Sequence, residues 1–267
     1  MRIALSMLNQ AWENKQHNLD ACIKLADRSV KSQADFLILP EMTLTGFTLN
    51  TLSIAEESDS SASLRSFADI AVKHNMGVIA GVVLRTSELF QNCAVAFGRN
   101  GEQLCKYAKI HPFSFSGENR YISGGAELST FEYDGLRFGL TICYDLRFPV
   151  LWYALASKCD CIINIANWPE KRIDHWRALL QARAIENQVY VIGVNRIGVD
   201  GNGLEYPESS YAFAPDGSIV NPVINDEGLI VVEIEKSVVG KCRESFPVCN
   251  DNRHTLYKDF LNAEAEL

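Results

Sequence analysis

The chain has 267 residues, of which 47% are hydrophobic and 22% are charged, a composition typical of a globular protein. Its net charge is −8 and it contains no basic run, which argues against nucleic acid as a partner because phosphate contacts need clustered positive charge. The N-terminus is interrupted by polar residues too soon for a signal peptide, and no apolar stretch approaches the roughly 20 residues of a membrane span. We therefore expect a cytoplasmic protein without a membrane partner.

The first part of the chain alternates apolar strand patterns with amphipathic helix patterns. The predicted elements, in chain order, are strand 2–8, helix 11–33, strand 35–39, helix 64–75 and strands 77–84, 90–98 and 102–108. Strand 35–39 is a short apolar run closed by Pro40, which is typical of a strand buried on both faces. The Asn100-Gly101 turn predicts a hairpin between the last two strands.

The second part of the chain continues the alternation after a loop over 109–127. Its predicted elements are a hairpin turning at Asp134-Gly135, strand 136–142, helix 147–157, strand 160–166, helix 173–188, strand 189–195 and a hairpin around 215–217. Residues 236–267 have a mixed polar composition and are interpreted as a C-terminal tail. Alternating helices and strands with hairpins mixed in predict one α/β domain over 1–267 with mixed sheets.

The eight cysteines are scattered and follow no signal peptide, so they are interpreted as reduced thiols. Cys159 and Cys161 form the one close pair, but no second pair or nearby histidine completes a metal site, and both are expected in the core. Cys143 differs in position, because it lies where a buried strand meets the start of a helix. The unpaired amides there can bind an oxyanion, and the helix end is expected to lower the thiol pKa. By position alone a core cysteine remains the simpler interpretation.

A cysteine nucleophile needs a base. His111 and His175 lie near other notable residues, so a cysteine–histidine hydrolase is one alternative. Glu41 and Lys109 are another, since each directly follows a predicted strand. A partly buried carboxylate can serve as acid and base, and a fixed ammonium can stabilise an oxyanion. If these strand ends share one edge of the fold, Glu41, Lys109 and Cys143 converge.

Three segments carry a specific resemblance: residues 39–42 (LPEM), 107–113 (YAKIHPF) and 142–149 (ICYDLRFP). They resemble the signature segments of the nitrilase superfamily, in that family's order and separations. The resemblance implies an αββα sandwich with no metal or organic cofactor, in which Glu41 is the base, Lys109 the oxyanion-stabilising cation and Cys143 the nucleophile. It further implies that Glu118 orients Lys109 or the substrate, and that the backbone N–H of Tyr144 shares the oxyanion.

Residues 166–196 are similar to the ω-amidase branch of that family, whose substrates are 2-oxoglutaramate and 2-oxosuccinamate. The resemblance implies a small amide substrate with a carboxylate, for which Arg172 is the first candidate cation and Trp168 a candidate pocket wall. Glu208 stands where related ω-amidases usually have glycine. A homodimer through helix 173–188 and the helix after Cys143 is also implied.

Two other functions stay open from the sequence. The first is another amidase of the same superfamily, acting on an N-carbamoyl amino acid or a carbamoyl polyamine. The second is a catalytically silent scaffold that keeps the fold, although a scaffold would not need Glu41, Lys109 and Cys143 together.

Overall fold

Two β-sheets lie face to face in the computed structural model, which describes residues 1–86, 89–226 and 228–264. The first sheet contains, in spatial order, β14 (Ile224–Asp226), β15 (Leu229–Glu233), β1 (Arg2–Ser6), β2 (Phe36–Ile38), β4 (Gly77–Thr86), β5 (Leu89–Phe97) and β6 (Gln103–Ala108), with β3 (Glu56–Glu57) beside β4. Its β1, β2 and β4 strands are parallel neighbours, whereas β5 and β6 continue as antiparallel hairpins. The sheet is therefore mixed, as predicted.

The second sheet is built around three parallel strands. It contains, in spatial order, β13 (Tyr211–Phe213), β10 (Tyr190–Asn195), β9 (Cys161–Ala166), β8 (Leu136–Ile142) and β7 (Thr130–Tyr133). The β8, β9 and β10 strands are parallel, and β7 joins β8 through the predicted hairpin. A separate short ribbon pairs β11 (Gly198–Val199) with β12 (Glu205–Tyr206).

Helices cover the outer face of each sheet. The helices are α1 (Lys15–Lys31), α2 (Thr51–Ile54), α3 (Ala62–His74), α4 (Pro149–Ala156), α5 (Ile173–Asn187), α6 (Lys236–Ser245) and α7 (His254–Glu264). Apolar residues of α1 and α3 pack on the first sheet, and those of α4 and α5 pack on the second. The predicted αββα sandwich is thus confirmed. Within the residues that the structure describes, no helix has the length and apolar character needed to cross a membrane.

Besides the two apolar layers between helices and sheets, an apolar core fills the space between the two sheets. Phe36 of β2 contacts the rings of Phe131, Tyr133 and Phe138 across it, with ring centroids 4.8–6.2 Å apart. Because helices cover the outer faces as well, both faces of the central strands are buried, which explains their continuous apolar sequence. We propose that 1–267 form one domain, since this core joins both sheets.

The segment predicted as a C-terminal tail is partly helical. It contains α6 and α7, and residues 265–267 lie outside the described part. Arg243 of α6 donates hydrogen bonds to the carbonyls of Gln188, Ala156 and Cys159, which fixes the helix on the body of the protein. The helix has few apolar residues and a central glycine, so its sequence lacks the pattern by which amphipathic helices are found.

Candidate active site

Three strand ends meet at one cavity between the sheets. Glu41 follows β2, Lys109 follows β6 and Cys143 follows β8. The cavity has a volume of about 430 Å³, and both Lys109 and Cys143 line it. Volumes of about 300–1,000 Å³ are usual for small-molecule sites. The convergence predicted for these three residues is what the structure shows.

Glu41, Lys109 and Glu118 form a buried ionic cluster in which all three side chains are fully inaccessible to solvent. The Nζ of Lys109 lies 3.0 Å from Oε1 of Glu41 and 2.9 Å from Oε2 of Glu118. Burial alone would lower the pKa of Lys109, but the charges of Glu118 and Glu41 outweigh it and raise the pKa. The lysine is therefore a permanent cation beside the cavity.

A tight turn holds Glu41 against the neighbouring strand. A side-chain carbon on Gly81 of β4 would lie 2.4 Å from the backbone N of Met42, so only glycine allows this approach. The side-chain amide of Gln10 donates to the carbonyl oxygens of Glu41 and Met42, at 3.0 and 2.9 Å. The amide of Asn167 donates to the Glu41 carbonyl and its backbone N–H to Oε2, at 2.7 and 2.9 Å. The carboxylate is thereby held in one position.

Cys143 begins a 3-10 helix, Cys143–Arg147, at the end of β8. Its φ of 45° lies in the left-handed region, which is strained for a residue with a side chain and recurs at functional sites. Its Sγ lies 3.9 Å from the carbonyl oxygen of Asn167. The expected depression of the thiol pKa is wrong: burial and the charge of Glu41 raise it, and Lys109 only partly opposes them. The resting group is a thiol, which requires a base for activation.

The supporting residues lie beside this cluster. Oε2 of Glu118 accepts a 2.5 Å hydrogen bond from the N–H of Phe113, which anchors the loop after β6. Tyr144 lines the cavity as the second residue of the 3-10 helix, and its ring packs 4.8 Å from that of Phe113. The first amides of a helix have no acceptor within it, so the Tyr144 N–H is available for an oxyanion.

Trp168 and Arg172 both line the cavity, as predicted from the sequence. Trp168 is only 3% exposed and also packs on Trp176, so it is a wall and a core residue at once. Its Nε1 donates to the carbonyl of Arg172 at 2.7 Å, which fixes that residue at the rim. The Arg172 guanidinium lies 5.5 Å from the ring centroid of Phe113. Glu208 is exposed and is not among the cavity-lining residues that the structure describes.

Several residues of the site were not singled out from the sequence. Arg147 lines the cavity with its guanidinium 4.8 Å from the Trp168 ring, and its place one helical turn after Cys143 was the available signal. Asn92 donates to both Glu41 and Glu118, and a polar residue inside the apolar strand β5 could have drawn attention to it. The position of Asn167 directly after strand β9 was a similar signal.

The two histidines considered as bases, His111 and His175, contact other residues of the protein. The Nδ1 of His111 lies 2.8 Å from the buried carboxylate of Asp145, and its ring stacks on Phe148 at 3.6 Å. The Nδ1 of His175 lies 3.3 Å from the guanidinium of Arg147. Because Nδ1 of each histidine already has another partner, whereas Glu41 lies in the buried cluster with Lys109, the geometry favours Glu41 over either histidine as the base.

Comparison with known proteins identifies the family. Residues 2–244 match the model described as carbon-nitrogen hydrolase. A 2-oxoglutaramate amidase from Bacillus subtilis (strain 168) is 34% identical over 84% of this chain and 87% of its own. The "Hydrolase in agr operon" of Staphylococcus aureus is 30% identical over 97% of this chain and 100% of its own.

The fold is also similar to that of a solved structure. A CN-hydrolase superfamily protein from Xanthomonas campestris, with an arsenic adduct in its active site, superposes with a TM-score of 0.87 at 30% identity, covering 94% of this chain and 97% of that one. The resemblance to the nitrilase superfamily is thereby confirmed. The family match over residues 2–244 shows that this protein belongs to the carbon-nitrogen hydrolase family and is a hydrolase of carbon–nitrogen bonds.

Proposed function

We propose that the protein is an ω-amidase-like enzyme, which hydrolyses the terminal amide of a small oxo acid such as 2-oxoglutaramate or 2-oxosuccinamate to the acid and ammonia. The observation that carries this proposal is the buried Glu41–Lys109–Glu118 cluster beside Cys143, at a cavity with arginines on its wall. The 34% identity to a 2-oxoglutaramate amidase supports the choice of substrate.

In the proposed reaction, Glu41 removes the thiol proton of Cys143 and the thiolate attacks the amide carbonyl. Lys109 and the N–H of Tyr144 stabilise the negative charge that forms on the carbonyl oxygen. Glu41 returns the proton to the departing ammonia, which leaves a thioester on Cys143. Glu41 then removes a proton from water, which attacks the thioester carbonyl; the C–S bond breaks, the acid leaves, and Glu41 returns the proton to the Cys143 sulfur. Glu118 keeps Lys109 in place throughout.

Two arginines give the cavity a positive wall for the substrate carboxylate. Arg172 and Arg147 both line it, and within the described residues neither forms a salt bridge to an acid. Asp200 also lines the cavity, but its oxygens accept hydrogen bonds from the backbone of Asn202 and the hydroxyl of Tyr206. We propose that Arg172 binds the carboxylate, because a planar guanidinium can bind it through two hydrogen bonds.

A panel of amides tests the substrate class. We expect ammonia release from 2-oxoglutaramate and 2-oxosuccinamate, and much less from a neutral amide of similar length. In the same assay, Arg172→Gln should lower kcat/KM for 2-oxoglutaramate by about 10- to 100-fold through loss of a charged hydrogen bond. The rate with the neutral amide should change little.

The control for this assay is Lys171→Gln, which removes a neighbouring exposed charge outside the cavity. If Arg172→Gln lowered kcat/KM equally for the charged and the neutral amide, the role of Arg172 would be contradicted. The same holds if Arg147→Gln lowered kcat/KM for 2-oxoglutaramate and Arg172→Gln did not. Hydrolysis of an N-carbamoyl amino acid or a carbamoyl polyamine without any of 2-oxoglutaramate would place the enzyme in the alternative branch. Hydrolysis of no amide would support a silent scaffold.

We also propose a cytoplasmic homodimer. Val150 of α4 and Ile185 of α5 are 59% and 51% exposed, and covering such side chains would be favourable. All eight cysteines are free thiols, which supports a reducing compartment. Native mass spectrometry would reveal the oligomeric state, and a monomer would contradict the dimer.

A further inference from the structure

We propose that Asn92 is a positioning residue of the active site, whose side-chain amide holds the carboxylates of Glu41 and Glu118 in place around the ammonium of Lys109. The inference rests on the proposed roles of Glu41 and Lys109 and goes beyond them, because it assigns a fourth polar group to the cluster. Asn92 would act through the two carboxylates and need not touch the substrate.

The contacts of Asn92 reach all three charged residues. It lies on β5 between β4 and β6, with its side chain fully buried. Its Nδ2 donates to Oε1 of Glu41 at 2.8 Å and to Oε1 of Glu118 at 3.1 Å. Its backbone carbonyl accepts a 2.8 Å hydrogen bond from the N–H of Lys109. A single residue therefore connects the base, the cation and the second glutamate.

The charge balance of the cluster explains why such a residue is needed. Two buried carboxyl groups share one ammonium, so the cluster has one more acidic than basic side chain, in a place where water cannot screen their charge. Hydrogen bonds to a carboxylate favour its charged form. The two N–H groups of Asn92 supply one such bond to each glutamate without adding charge, so Lys109 does not have to neutralise both alone.

The orientation of the Asn92 amide follows from the same contacts. Within the residues that the structure describes, its Oδ1 has no hydrogen-bond partner although it is buried. If Oδ1 and Nδ2 exchanged positions, Oδ1 would face the oxygens of two carboxyl groups, and the two acceptors would repel it. An unpaired buried oxygen is unfavourable, and leucine would fill a similar volume without it. Packing alone therefore does not account for an asparagine at this position.

The arrangement also distinguishes the two oxygens of Glu41. Oε1 is held by Asn92 and Lys109, whereas Oε2 accepts the N–H of Asn167. The carbonyl of Asn167 in turn lies 3.9 Å from the Cys143 Sγ, and Oε2 is the oxygen of Glu41 that the described contacts of Asn92 and Lys109 do not hold. We infer that Oε2 receives the thiol proton, and that fixing Oε1 keeps Oε2 aimed at it.

The test compares Asn92→Leu with wild type for hydrolysis of 2-oxoglutaramate across pH. We expect kcat to fall by about 10- to 100-fold through loss of the hydrogen bonds to charged groups, with a much smaller change in KM. The charged and titratable groups that face Asn92 and the reaction are Glu41, Glu118, Lys109 and Cys143. A carboxylate that loses a hydrogen-bond donor keeps its proton to higher pH. The acid limb of the kcat–pH profile should therefore move to higher pH.

Asn164→Leu is the matched control. Asn164 is equally buried, and its Oδ1 likewise has no partner in the described part of the chain, but its Nδ2 donates to the hydroxyl of Thr141 in the second sheet. It should leave the pH profile unchanged. A folded Asn92→Leu variant with wild-type kcat, or with a loss of kcat but an unmoved acid limb, would overturn the proposal.

A second variant covers the case in which Asn92→Leu does not fold. Asn92→Asp keeps the shape of the side chain, replaces the N–H donors by an acceptor, and should lose at least as much activity at neutral pH. Full activity in that variant would overturn the proposal. An active Cys143→Ala variant would instead refute the proposed function, so the two failures can be distinguished.

Discussion

Replacing Cys143 with alanine is expected to lower kcat for amide hydrolysis by about 10⁴- to 10⁶-fold, the range found when an enzyme loses its nucleophile. The reason is that no thioester can form without the thiol. The change removes one sulfur atom at the cavity surface and leaves the Glu41–Lys109–Glu118 cluster untouched. Steady-state kinetics, with a thermal melt to confirm folding, would measure it.

Cys105→Ala is the control for that experiment. Cys105 is another half-buried thiol, and burial raises its pKa to about 11, so it too is protonated at neutral pH. It lies on β6 outside the cavity lining and should leave kcat unchanged. If Cys143→Ala kept a substantial part of the wild-type rate, the proposed mechanism would be wrong.

Replacing Lys109 with methionine is expected to damage both catalysis and stability. Loss of one oxyanion-stabilising donor lowers kcat by about 10²- to 10³-fold. Removal of one partner from a buried ion pair costs about 3–5 kcal/mol in unfolding free energy, because Glu41 and Glu118 remain buried without their cation. For a domain of this size the melting temperature should fall by about 6–20 °C.

The pH dependence of that stability loss has a definite sign. Because the pKa of Lys109 is raised by folding, its contribution to stability is fully present below the ordinary lysine range and is lost only at strongly alkaline pH. In Lys109→Met the deficit should shrink at acidic pH, where one carboxyl can take a proton and the repulsion disappears. Thermal melts from acidic to neutral pH would measure this.

Lys106→Met provides the matched control for Lys109. Lys106 lies on β6, the strand that Lys109 follows, but it is exposed, and among the described residues its Nζ reaches the hydroxyl of Ser58 at 3.4 Å. Exposed charges contribute little to stability, so the melting temperature and kcat should stay near those of wild type. A Lys109→Met variant that behaved like Lys106→Met would contradict the role given to the buried cation.

The sequence predicted the strand ends of the site because buried strands have a simple signature. The apolar run Leu136–Ile142 was placed with both bounds correct, and Cys143 follows it directly. Lys109 likewise directly follows β6 (Gln103–Ala108), which was predicted over 102–108. Strands covered on both faces are continuous in apolar residues, so the first polar residue beyond them marks an edge of the sheet where side chains can meet.

Other parts of the fold and site could not be predicted, since they depend on contacts between distant segments. Asn92 and Glu41 are 51 positions apart and meet only because β5 and β2 both border β4. The raised pKa of Cys143 comes from burial and from Glu41, whereas the local sequence indicated only a helix start. The short strands β14 and β15 were missed; β15 pairs with β1, more than two hundred residues away, and β14 adds to the sheet only through β15.

The most direct test of the central claim is mass spectrometry of the enzyme quenched in acid during turnover of 2-oxoglutaramate. The proposed mechanism predicts the mass of the oxo-acyl group on the peptide that contains Cys143, and its absence after the substrate is consumed. An acyl group on any other residue, or turnover with no acyl-enzyme at any quench time, would contradict a Cys143 thioester.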